Sequence, residues 1–144
     1  MTDENIRSNV QDELALAESA LEASRALLDL GLAPDAASRM YYAAFHAARA
    51  LLFSLGVEAR THSSTRTQLA RHFVKTGRLL PARSKDLAQL EALRSAGDYD
   101  SGFALGAEDL RPELDKARRF VSEARELLHE DGWLGDAGPD HDDP

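Results

Sequence analysis

The sequence of 144 residues contains no cysteine and carries a formal net charge of -8. This length fits one domain with a buried core, and the lack of thiols excludes disulfides, thiolate metal sites and cysteine nucleophiles. The first ten residues include acids but no apolar run, and no apolar stretch is long enough to span a bilayer, so we expect a cytoplasmic protein that neither is secreted nor enters a membrane.

The apolar spacing predicts an all-α protein, an antiparallel bundle of about five helices within residues 1–131. The first helix is predicted over about residues 3–30, where apolar residues recur at steps of three, four or seven. Gly31 should end it, because glycine adopts the left-handed conformation without a steric cost. Pro34 fits the first turn of the second helix, which should continue to about Leu55 and end at Gly56.

The third and fourth helices are predicted to be shorter. Ser63 or Ser64 can accept backbone N–H bonds as the N-cap of the third helix, and Gly77 should end it. The fourth helix is predicted over about residues 83–96. It should break at Gly97, before the polar turn DYDSG.

The fifth helix is predicted to begin near residues 109–112, and its apolar stripe reaches Leu128. The acids of the first and fifth helices have the spacing of solvent-facing charges. Residues 132–144 are rich in Gly, Pro and Asp and are predicted to form a disordered acidic tail, from which Trp133 can pack back on the bundle.

The charge is unevenly distributed. Residues 1–23 have a net charge of -5 and residues 107–144 of -7, whereas residues 24–106 have +4. Within the middle, residues 60–94 hold eight basic and two acidic side chains. This stretch is either an anion-binding patch or an ordinary solvated surface.

The second helix has two distinct faces at ~100° per residue. Its core face comprises Ala37, Met40, Tyr41, Ala44, Ala48, Leu51, Leu52 and Leu55. A second stripe should point away from the core and consists of Arg39, Tyr42, His46, Arg49 and Phe53. Because large aromatic rings are costly to leave in water, this stripe is predicted to pack on another helix or on a second subunit of a two-fold homodimer.

Arg39 and His46 lie along one line of this helix, since seven residues bring the chain back to within about 20°. A guanidinium beside an imidazole can cleave a phosphodiester without a metal. The imidazole transfers protons near neutral pH, and the guanidinium binds phosphate oxygens. The alternative is that both side chains satisfy polar groups within a helix contact.

The segments RMYYAAFHAARALL, THS, HFVKTGRL and LRSAGDYD, in this order and spacing, resemble the HEPN-domain family, in its small stand-alone branch often encoded beside minimal nucleotidyltransferases. The resemblance covers about residues 34–128. It implies an antiparallel helical bundle that commonly dimerises. It also implies, for many members, a metal-independent endoribonuclease that uses an arginine, four to six intervening residues and a histidine.

Two pairs match that spacing: Arg39 with His46, and Arg66 with His72. The second pair lies about 120° apart around its helix, so the first is preferred. In the better-understood members the motif lies late in the bundle, whereas the preferred pair here is on the second helix. The late segment, residues 94–99, has no histidine.

Further binding residues are predicted outside this pair. Arg94, Asp98 and Tyr99 form either a phosphate site or a structural lock in which Asp98 pairs with an arginine such as Arg39. His62 lies near a helix N-terminus, where free N–H groups can hold an anion, or is a loop residue near the caps. No metal site or cofactor is predicted, because no metal-ligand spacing or Gly-rich phosphate loop occurs.

The preferred functional hypothesis is a homodimeric toxin or defence endoribonuclease that cleaves single-stranded RNA without a metal. Arg39 and His46 would be catalytic, while Tyr42, Arg49, His62, Arg66 and basic residues up to 85 would position RNA. A minimal nucleotidyltransferase would be its antitoxin partner. The alternatives are a non-catalytic module that binds such a partner, and a bundle that binds a small nucleotide at residues 94–99.

Overall fold

The computed structural model describes residues 2–99 and 105–135, and within these ranges it is helical with no strand, as predicted. The five helices are α1 (Asp3–Asp29), α2 (Ala33–Phe53), α3 (His62–Leu69), α4 (Pro81–Tyr99) and α5 (Ala107–Glu130). α3 continues directly into a π-helical segment, Ala70–Val74. Such segments contain one residue more per turn than the α-helix and frequently occur at functional sites.

α2 is the central helix and contacts all four others. Its eight alanines are each at most 4% exposed. Small side chains let neighbouring helices approach closely, so α1, α4 and α5 can surround this helix. The predicted core face of α2 is confirmed by Met40, Tyr41 and Leu51, but Leu55 lies beyond the helix and is exposed.

The predicted outward stripe of α2 is only partly correct. Phe53 is 7% exposed and belongs to the core, and Tyr42 is half-buried. Because α2 is enclosed by its own chain, the stripe packs mainly within the subunit, and Arg39 at its beginning is exposed. The rings therefore need no second subunit to cover them, and the homodimer stays a prediction.

The glycine stop signals are confirmed at three helix ends. Gly31, Gly56 and Gly77 have φ angles of 78°, 73° and 80°, the left-handed conformation that ends a helix. Gly97 was predicted to break α4, but the helix continues through it to Tyr99. A Cβ on Gly97 would lie 3.4 Å from Cα of Pro34, so the absence of a side chain serves close packing against the start of α2.

The N-cap of α3 is Thr61, two residues before Ser63 and three before Ser64, the predicted caps. The Thr61 hydroxyl accepts a bond from the N–H of Ser64 at 2.9 Å, and the Ser64 hydroxyl accepts from the N–H of Thr61 at 3.3 Å. This reciprocal pair satisfies two N–H groups that the helix itself cannot. α4 and α5 begin at Pro81 and Ala107, each about two residues earlier than predicted.

The first residues of the predicted tail are ordered against α1. Trp133 is half-buried, and the guanidinium of Arg7 lies 5.2 Å from its ring centroid. The same guanidinium donates to the carbonyls of Gly132 and Trp133 at 2.9 and 3.0 Å. The predicted packing of Trp133 is thus confirmed, whereas residues 136–144 of the tail lie outside the described residues.

Candidate functional site

Six side chains cluster around the ring of Tyr42, near the middle of α2. We call this group, together with Tyr42, the Tyr42 site. Four members come from α2, one from the first turn of α3 and one from α4. They are Arg39, Tyr41, Phe45, His46, His62 and Arg94.

His46 is oriented by an acid on a neighbouring helix. Its Nδ1 lies 2.8 Å from Oε1 of Glu13 in α1. An ionised carboxylate can only accept hydrogen bonds, so Nδ1 carries a proton, and in the neutral imidazole Nε2 presents its lone pair. The His46 and Glu13 side chains are 24% and 14% exposed, which leaves the imidazole reachable while its partner is largely enclosed.

The same carboxylate faces Arg49, whose Nε lies 3.6 Å from Oε1 of Glu13. That Nε is buried and has no hydrogen-bond partner. The guanidinium also lies 5.7 Å from the ring centroid of Phe45 and 5.4 Å from that of Phe53. Arg49 therefore supports the Glu13 side of the site, and its charge is partly neutralised there.

Two guanidinium groups flank Tyr42. The Cζ of Arg39 lies 5.4 Å from the ring centroid and that of Arg94 lies 5.3 Å from it. Arg94 pairs with Asp98, one turn later on α4, at 2.9 Å. Among the described residues Arg39 has no carboxylate partner and is exposed, so its charge is available to an anion.

The first turn of α3 adds a second imidazole. The ring of His62 lies 4.7 Å from that of Phe45 and 6.1 Å from that of Tyr42, measured between centroids. Its Nδ1 is 2.5 Å from the hydroxyl of Tyr41. His62 is therefore part of the site and not a detached loop residue.

The second arginine and histidine pair does not converge. Arg66 forms a close ion pair with Glu91 of α4. His72, in the π-helical segment, hydrogen bonds to Gln68 one turn earlier at 3.1 Å. Arg39 and His46 both contact the ring of Tyr42, whereas Arg66 and His72 are bonded to separate partners and share no such contact, which favours Arg39 and His46 as the functional pair.

Asp98 pairs with an arginine, as the structural alternative predicted, but its partner is Arg94 of its own helix and not Arg39. Tyr99 is the last residue of α4, and its side chain lies outside the described part of the chain.

Sequence reasoning missed Glu13 by assigning the acids of α1 to solvent. Glu13 follows Val10 by three residues and precedes Ala17 by four, and this spacing on the core stripe was the signal that could have found it. Phe45 was assigned to neither face of α2, although it contacts both imidazoles.

In the described part of the chain, residues 2–99 and 105–135, no group of three or more His, Cys, Asp or Glu side chains is placed to hold a metal ion. None of the helices in this part combines the length and the apolar character needed to cross a bilayer.

Several known proteins are similar to this chain over most of its length. A UPF0332 protein of Gloeobacter violaceus is 34% identical over 82% of this chain and 94% of its own length. Two Methanocaldococcus jannaschii proteins, each provisionally named a toxin, are 27% and 29% identical over 90% and 78% of this chain and 96% and 76% of their own. The model of the HEPN domain matches residues 10–132, from the third turn of α1 to the end of α5. The chain therefore belongs to the HEPN domain family.

Proposed function

We propose that this chain is a metal-independent endoribonuclease that cleaves single-stranded RNA as a toxin or defence effector. The observation that carries the proposal is that the imidazole of His46, held by Glu13, and the guanidinium of Arg39 both lie against the ring of Tyr42, and that Arg39 has no carboxylate partner among the described residues. Membership of the HEPN family and the toxin names of two relatives support it.

In the proposed reaction, Nε2 of His46 takes the proton of a ribose 2′-hydroxyl. The 2′-oxygen bonds to the adjacent phosphorus as the bond from phosphorus to the 5′-oxygen breaks. The leaving 5′-oxygen takes a proton from the imidazolium, directly or through one water molecule, which restores neutral His46. The products are a 2′,3′-cyclic phosphate and a 5′-hydroxyl, and Arg39 offsets the negative charge that develops on the phosphoryl oxygens.

RNA would be positioned by aromatic and basic side chains around this centre. The half-buried ring of Tyr42 offers a face on which an unpaired base can stack, and single-stranded RNA is the form in which bases are free to do so. Arg71, Lys75 and Lys85 are exposed and have no ion-pair partner among the described residues. Arg49 and Arg66 are already paired with carboxylates, so they contribute less to phosphate binding.

The proposal includes a homodimer and a minimal nucleotidyltransferase as antitoxin, both of which follow from the family resemblance. A two-fold axis next to the exposed Arg39 would bring two Arg39 and His46 pairs into one cleft. Sedimentation equilibrium of the purified chain, which should give about twice the monomer mass of 15.8 kDa, tests the first part.

The decisive experiment is cleavage of an end-labelled RNA in the presence of EDTA, with analysis of the product ends. Wild-type protein should release 2′,3′-cyclic phosphates, and His46→Ala should lower the rate by at least about 100-fold. Arg39→Ala should also reduce cleavage and relieve toxicity on expression.

Two controls match these variants in residue type. Arg25→Ala and His129→Ala remove exposed side chains outside the Tyr42 site and should cleave at the wild-type rate. Undiminished cleavage by His46→Ala would refute the assignment. A wild-type protein that cleaves nothing but copurifies with a nucleotidyltransferase would show instead a non-catalytic binding module.

A further inference from the structure

The bond between Tyr41 and His62 defines which nitrogen of His62 carries its proton. Tyr41 is completely buried, and its hydroxyl has no other partner among the described residues. Burial, together with the nearby carboxylate of Glu91, raises the pKa of Tyr41, so the phenol stays protonated. It therefore donates to Nδ1 of His62, because a buried hydroxyl that did not donate would lose a hydrogen bond.

The two imidazoles of the site consequently have opposite proton arrangements. Nδ1 of His62 accepts a bond, so the ring proton is on Nε2, which is a donor. Nδ1 of His46 donates to Glu13, so Nε2 of His46 is an acceptor. Neither Nε2 has a partner among the described residues.

Both rings rest on the same pair of aromatic side chains. The centroids of His46 and His62 lie 5.5 and 4.7 Å from that of Phe45. They lie 6.2 and 6.1 Å from that of Tyr42, the ring flanked by Arg39. An imidazole with an acceptor Nε2, an imidazole with a donor Nε2 and a guanidinium without a carboxylate partner thus all lie around the ring of Tyr42.

We propose that His62 is a further substrate-binding residue, whose neutral imidazole donates from Nε2–H to a non-bridging oxygen of the phosphodiester that His46 and Arg39 act upon. Tyr41 is a positioning residue that holds His62 in the donor form. This inference rests on the proposed function for the identity of the phosphodiester. His62 transfers no proton in the step: it remains neutral, and the proton taken by His46 is unaffected.

Two substitutions of His62 separate the donor from the structural bond. His62→Asn places an amide where Nδ1 was, so it can still accept from Tyr41 but has nothing at Nε2. His62→Gln places an amide N–H near the position of Nε2 and keeps the donor. Tyr41→Phe removes the hydroxyl that selects the donor form, and His72→Gln, at a histidine bonded within its own helix, is the matched control.

The test is cleavage of an RNA with one cleavable linkage, either unmodified or with sulfur in place of one non-bridging oxygen, as separate diastereomers. His62→Asn should lower kcat by about tenfold or more, the loss typical of a hydrogen bond to a charged group. In wild type one diastereomer should be cleaved more slowly than the other, and His62→Asn should abolish that difference. His62→Gln should preserve most of the rate, Tyr41→Phe should fall between, and His72→Gln should match wild type.

A binding measurement keeps this inference distinct from the proposed function. A 2′-O-methyl RNA cannot be cleaved because it lacks the free hydroxyl, and His62→Asn should weaken its binding by about tenfold. If wild type cleaves no RNA but His62→Asn still weakens binding, the nuclease proposal fails and the His62 contact stands. If His62→Asn retains the wild-type rate, affinity and diastereomer preference, the His62 contact is refuted. A protein that neither binds nor cleaves RNA overturns both.

Discussion

Replacing Glu13 by glutamine tests whether a carboxylate on α1 orients the imidazole of His46, which takes the proton of the ribose 2′-hydroxyl in the proposed reaction. The bond from Nδ1 of His46 to Glu13 is 2.8 Å long, and Glu13 is only 14% exposed, so solvent screens this contact weakly. Hydrogen bonds to charged groups contribute about 1.5–3 kcal/mol. If this one is needed in the transition state, kcat should fall roughly 10- to 150-fold. The amide oxygen of glutamine still accepts from Nδ1, so the lower end of that range is expected, with little change in KM.

The measurement is the initial rate of RNA cleavage at saturating substrate, with the melting temperature recorded for each variant. Loss of the contact with Arg49 should cost about 1 kcal/mol of folding stability and lower Tm by roughly 3 °C, too little to unfold the protein in the assay. Glu18→Gln is the control, because Glu18 lies on the same helix but outside the Tyr42 site. Its carboxylate lies 2.7 Å from the guanidinium of Arg125. A folded Glu13→Gln protein with the wild-type kcat would refute the orienting role.

Three further predictions concern the fold. Leu90→Ala, at a fully buried position, should lower the free energy of unfolding by about 2–5 kcal/mol in urea titrations. Leu16→Ala, at a half-exposed position, should lower it by well under half as much. Equal losses would contradict the packing of Leu90 in the core. Thr61→Ala should destabilise the protein by about 1 kcal/mol through loss of the N-cap, while Thr61→Ser should be nearly neutral, and no difference between the two would contradict the cap. Because Trp133 is the only tryptophan, Arg7→Ala should shift the fluorescence emission to longer wavelength, and an unchanged spectrum would show that Arg7 does not hold that ring.

The helices themselves could be predicted because their signals are local. Apolar spacing places all five, and Gly31 and Gly77 end helices through their own backbone freedom. The helix end predicted at Gly97 is wrong, because a glycine can serve close packing through its missing side chain as well as allow unusual backbone φ angles. Its reason is a contact with Pro34, which is far away in sequence and invisible to a local pattern.

The candidate site could likewise be predicted only in part. Arg39, Tyr42 and His46 share one helix, so their grouping follows from the helical repeat alone. Glu13 and His62 reach the same place from α1 and α3, and only the packing of these helices on α2 shows it. The proton arrangement of each imidazole depends on those partners, so the chemical roles of the two histidines could not be assigned from the sequence.

The alanine-lined surface of α2 makes the spacing between helices part of the geometry of the Tyr42 site. Methyl groups are nearly the smallest spacers available, and a valine or leucine on the side that faces α1 would wedge the two backbones apart. A displacement of 1 Å would stretch the 2.8 Å contact between Glu13 and His46 beyond hydrogen-bonding range. A variant that keeps every side chain of the Tyr42 site can therefore lose the contact between Glu13 and His46 through a single bulky residue buried at the axis of the bundle.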